Sequence, residues 1–90
     1  MSIINDPEFV ELRKYRGTVD KEILRKILTE IEEDYRKSKN LRLSILYIYS
    51  FYMSYISKNR QLFNLISVIL EKYSQKLGVE NLCNLIIEMI

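Results

Sequence analysis

The 90-residue chain predicts an all-α fold, a compact bundle of four to five helices, on three observations. Apolar side chains recur at i, i+3, i+4 spacing over most of its length. The two glycines, the single proline, Asn40 and Asn59 fall at the edges of these periodic stretches, where helix boundaries belong. The inferred connections are all short, as in a bundle, and ninety residues allow one domain.

Met1 to Asn5 reads as a short tail pinned by Ile3 and Ile4. Asp6-Pro7-Glu8 opens a first helix over about 7–16: Asp6 can cap, proline suits the first helical position, and Glu8 meets the positive end of the dipole. Phe9, Val10, Leu12 and Tyr15 form its apolar stripe, and Gly17 closes it. Thr18 is the expected cap of a second helix over about 19–37, with Ile23, Leu24, Ile27, Leu28, Ile31 and Tyr35 on one face. Its other face offers the i,i+4 pairs Glu22–Lys26, Glu32–Arg36 and Glu33–Lys37, each worth about 0.2–0.5 kcal/mol. The acidic run Glu30-Ile31-Glu32-Glu33-Asp34 is read as part of that solvated face.

After Ser38-Lys39-Asn40 comes the most apolar stretch, 41–57, with no charged residue from Leu43 to Ser57. Its alternating Leu41, Leu43, Ile45, Tyr47, Tyr49 and Phe51 resemble a strand pattern. The run is about three times a typical strand, and no second strand is available to pair with it. It is therefore expected as a helix over about 41–58, the central apolar member of the bundle, with Ser50, Ser54 and Ser57 as a small-residue stripe for close packing. Asn59 can cap a fourth helix over about 60–77, which Gly78 ends. A fifth, over about 80–89, carries Leu82, Leu85, Ile86 and Met89 on one side.

Composition excludes several functions. Histidine is absent and Cys83 is the only cysteine, so neither a disulfide nor a cysteine or histidine metal site can be assembled. No glycine-rich phosphate loop or nucleophile–base set is present, so the expectation is a protein that is not an enzyme, with no cofactor and no metal. Fifteen uncharged residues span ~22 Å against a hydrocarbon core of ~30 Å, which argues against a membrane helix. Asp6 and Glu8 interrupt any N-terminal signal sequence, and a reducing, cytoplasmic location is expected.

What remains is a surplus of apolar side chains. Thirteen isoleucines and twelve leucines lie within 48% hydrophobic residues, in a size class that buries only roughly 60% of its unfolded surface. The leading expectation is a protein-protein interaction module, a homodimer or an accessory subunit of a larger complex. Its interface would use Tyr47, Tyr49, Tyr52 and Tyr55 with Leu85, Ile86, Ile87, Met89 and Ile90. The alternative is a nucleic-acid-binding, DNA replication-associated protein that places Arg36, Lys37, Lys39 and Arg42 on phosphates.

Overall fold

The computed structural model describes residues 3–90; Met1 and Ser2, the start of the expected tail, lie outside the described residues. A 3-10 turn at Ile3–Asn5 leads into six helices: α1 (Pro7–Arg13), α2 (Lys21–Ser38), α3 (Leu41–Phe51), α4 (Met53–Lys58), α5 (Arg60–Leu77) and α6 (Val79–Met89). Among the described residues there is no strand. The fold is the all-α bundle the periodicity predicts.

Several boundaries follow local chemistry that differs from expectation. Asp6 occupies the N-cap of α1 without capping it, because its carboxylate accepts the Tyr73 hydroxyl instead. Helix α1 ends at Arg13, three residues early, and turns lead to Gly17 at φ 80°. The cap of α2 is Asp20, which accepts from the backbone N–H groups of Glu22 and Ile23; the Thr18 hydroxyl donates backward to the Tyr15 carbonyl. Asn40 caps α3 by accepting from Leu43 N–H. Asn59 donates to the Tyr55 carbonyl, so it closes α4 and leaves α5 without a side-chain cap. Gly78, again at φ 80°, is the whole connection between α5 and α6.

The protein measures 32 × 29 × 18 Å across its Cα atoms. A helix with side chains is about 10–12 Å across, so the molecule is two helices thick. Its centre is α5, which buries Leu62, Phe63, Ile66, Ile69, Leu70 and Tyr73. Against it lie α1 with Phe9 and Leu12, α6 with Leu82 and Ile86, and beyond them the Leu24–Ile31 face of α2.

The apolar stretch 41–57 is thus an edge of the bundle and not its central member. It is also two helices, divided at Tyr52 (φ −122°, ψ 25°). The Tyr52 N–H reaches back only to the Tyr49 carbonyl, and its phenol donates to Glu30. The expected small-residue stripe faces solvent: Ser50, Ser54 and Ser57 are exposed. The serine that permits close helix approach is Ser44, fully buried, donating to Asp34 Oδ2 at 2.6 Å.

Candidate interaction surface

Helix α3 is fixed along one side by polar anchors. Ser44 bonds Asp34 near the end of α2 while Tyr52 bonds Glu30 one turn earlier, so α2 and α3 run antiparallel. On the other side the Tyr49 hydroxyl donates to the Phe63 carbonyl at 2.9 Å, with Ser67 Oγ 3.0 Å away, and Arg42 pairs with Glu71 at 3.1 Å. Burial pushes the Tyr49 phenol above its ordinary value, and the Ser67 hydroxyl partly offsets this. Tyr52 is pushed up to about 12, first by its bond to Glu30. Both phenols therefore stay neutral donors over any physiological range.

These anchors turn Ile45 and Ile48 inward and leave the opposite side of α3 open. Leu43 is 58% exposed, Leu46 60%, Tyr47 55% and Phe51 62%, and Met53 at the start of α4 is 61% exposed. Tyr47 and Phe51 meet edge to face, centroids 5.0 Å apart. With residue areas of about 200 Å², the five expose on the order of 500–600 Å², the upper range for the largest apolar patch on a monomer. A shallow groove runs along each flank. Glu30, Glu33, Asp34 and Lys37 of α2 line one, and Arg42, Asn64, Ser67 and Glu71 line the other.

Of the interface residues expected from sequence, Tyr47 lies in this patch. Tyr49, Tyr52 and Tyr55 are half-buried and turned toward the bundle, Tyr55 standing edge-on to Phe63 at 5.9 Å. The last helix corrects the expectation: Ile86, Met89 and Ile90 are buried, and Leu85 and Ile87 are half-buried. The reason is that α6 packs against both α2 and α5, and the turn after α1 folds over its end, where Gly17 N–H reaches the Ile90 carbonyl at 3.4 Å. Leu43, Leu46, Phe51 and Met53 were not expected at a surface. A run with no polar side gives no signal of which side faces inward.

Half of the basic cluster is paired. Arg36 pairs with Glu32 at 2.9 Å and Glu80 at 3.5 Å, and Arg42 with Glu71. Lys37 and Lys39 have no ion pair among the described residues, and Lys39 ends α2 in the left-handed conformation, φ 60°.

Two further clusters are structural. Tyr73 donates toward both Asp6 Oδ2 (2.7 Å) and Glu8 Oε1 (2.9 Å), and Lys72 pairs with Glu8 at 2.8 Å. The Lys72 bond, foremost, holds the Glu8 carboxyl down at about 2. The ring of Tyr73 packs on Phe9, so this group fastens α1 to α5. Cys83 is buried, and desolvation pushes its thiol up to about 12, so it is an inert core residue. Among the described residues no three His, Cys, Asp or Glu side chains converge as ligands of one metal ion. No helix among them is long and apolar enough to cross a membrane.

A solved structure described as the solution structure of an archaeal protein, SSO6904, from hyperthermophilic Sulfolobus solfataricus is similar over the full length. It superposes with a TM-score of 0.92 at 44% identity, covering 100% of this chain and 91% of that one. No curated protein matches the chain. A family model described as "Calcium binding protein SSO6904" matches residues 1–90.

Proposed function

The chain belongs to this family, and we propose that it is a non-catalytic binding module of the reducing cytoplasm whose working surface is the outer face of α3. The single observation that carries the reading is the open row Leu43, Leu46, Tyr47, Phe51 and Met53, whereas the other exposed large apolar side chains among the described residues, Ile4, Val10 and Val68, belong one each to the 3-10 turn, α1 and α5. The largest apolar patch of a monomer is often its functional surface, and aromatic residues such as Tyr47 and Phe51 are favoured anchors. The phosphate reading has less support, since Arg36 and Arg42 already hold carboxylates.

The test is a photo-crosslinking residue, p-benzoylphenylalanine, in place of Leu46 in living cells, with the exposed Arg25 as the comparison position. An adduct formed from position 46 and not from 25 is expected. Absence of any adduct, or equal labelling from both positions, would refute the docking surface.

A second reading takes the ion named in the family description. Calcium prefers about six to eight hard oxygen ligands, and a closed protein cage of that kind does not fit these residues. This reading therefore requires a one-sided, largely hydrated site with fewer than three converging carboxylates. Glu30, Glu33 and Asp34 share one face of α2 at i, i+3 and i+4, with Ser44 and Tyr52 bonded to two of them. The Asp6–Glu8 pair is a poorer candidate because Lys72 already neutralises Glu8. Affinity at the weak end of calcium modules, about 10⁻⁴–10⁻³ M, is expected. Amide NMR spectra during calcium chloride titration should shift along residues 30–37 and 44–52, less with magnesium, and not in Glu33→Gln/Asp34→Asn. Shifts centred elsewhere, or none at millimolar calcium, would remove this reading.

A further inference from the structure

We infer that the occupant of the α3 face is a second copy of this chain, paired across a two-fold axis; the inference rests on the docking reading above and names its partner. Charge is the first argument. A two-fold contact sets each residue near the axis against its own copy, so a charged centre would repel itself. No charged residue occurs from Leu43 to Ser57, so the centre of the face sets no charge against its copy; the charges lie on the flanks, Glu30, Glu33 and Asp34 with Lys37 on the α2 side and the Arg42–Glu71 pair on the other. A polyanion would find no basic flank, since the α2 side is mostly acidic and Arg42 is held by Glu71.

Shape is the second argument. The face is a helix ridge between two shallow grooves, and α3 offers no deep slot for an extended peptide. Two such faces brought together about a two-fold axis lay the α3 ridge of each copy alongside that of the other and over one of its grooves. Area is the third. The exposed row contributes on the order of 500–600 Å² per copy, so two copies bury roughly 1,100 Å². That lies just under the ~1,200 Å² at which stable interfaces begin, and the groove walls supply the remainder. A pairing this small is reversible and of micromolar strength, roughly 1–100 µM.

Sedimentation equilibrium of the full chain between about 5 µM and about 1 mM tests this. The mass should rise from 10.8 kDa toward twice that value, and Leu46→Glu or Phe51→Glu should weaken dimerisation at least about tenfold with helicity unchanged. Val10→Glu, at an exposed apolar position on α1, should dimerise as the native chain does. A constant mass of one chain at every concentration would overturn the inference, as would dissociation by Val10→Glu equal to that by Leu46→Glu. The crosslink from position 46 separates the two levels. An adduct of twice the chain mass supports self-pairing, one of any other mass overturns self-pairing but keeps the docking surface, and none overturns both.

Discussion

Replacing Ser44 by alanine asks whether a buried polar anchor sets α3 against α2. Ser44 is fully buried; its hydroxyl donates to Asp34 Oδ2 at 2.6 Å and lies 2.8 Å from Ser38 Oγ. Alanine keeps the backbone and removes one oxygen, so the cost is almost entirely the lost bonds. A hydrogen bond to a charged group is worth about 1.5–3 kcal/mol net. Asp34 is half-buried and recovers part of the loss from water, which places the expected destabilisation at about 1.5–2 kcal/mol. For a domain of this size each kcal/mol moves the melting temperature by about 4–8 °C, so a fall of about 10 °C is expected. Urea and thermal unfolding followed by far-ultraviolet circular dichroism measure it, and a cycle with Asp34→Asn should give a coupling of about 1 kcal/mol or more. A loss below about 0.5 kcal/mol, or strictly additive single variants, would refute the claim that this pair positions α3.

The core and the open face should respond oppositely. Ile66→Ala, at the centre of α5, should cost about 2–5 kcal/mol, whereas Leu46→Glu and Phe51→Glu should stay within about 0.5 kcal/mol of the native chain in urea unfolding; equal losses would make the α3 face structural. Ile90→Asp would disperse an interface if the last residue lay in one, but Ile90 is buried. The expected result is therefore a chain destabilised by several kcal/mol at unchanged mass, read by melting and light scattering together. Acid stability should carry the signature of Glu8. Its carboxyl is depressed from 4.5 to about 2, so its contribution is present at neutral pH and is lost as pH falls from about 4.5 toward 2. Unfolding midpoints measured through that window should fall in the native chain, and the slope should flatten in Glu8→Gln and in Lys72→Met.

The long amphipathic helices were legible in the sequence because their patterns carry a polar side that defines the buried one. Leu24, Ile27, Leu28 and Ile31 of α2, and Ile66, Ile69, Leu70 and Tyr73 of α5, lie where their spacing puts them. The caps were less legible because aspartate, asparagine and threonine at a boundary have several competing partners. Asp6 is drawn to Tyr73 and Asn59 to the Tyr55 carbonyl, and neither partner is adjacent in sequence. The candidate face was legible only as a total: an apolar surplus had to surface somewhere. Its place depended on Ser44, Tyr49 and Tyr52, whose long-range bonds decide which side of α3 turns inward.

That the greasiest stretch ends at the rim follows from geometry. A body two helices thick encloses only one helix on most sides, and α5 takes that place through a broad apolar face set against Asn64, Glu71 and Lys72 on its outer side. If α3 were enclosed instead, α5 would have to bring those polar groups inside or leave Phe63, Ile66 and Ile69 to water, at about 1.5–3 kcal/mol for each large side chain uncovered. Leaving Leu43, Leu46, Tyr47 and Phe51 outside forfeits a similar amount per residue but strands no polar group, so it is the cheaper arrangement for the single chain. The forfeited burial stays available to whatever covers α3. An open face of this kind is therefore the smaller of two losses to the fold, and its recovery on contact is the driving force proposed for the module.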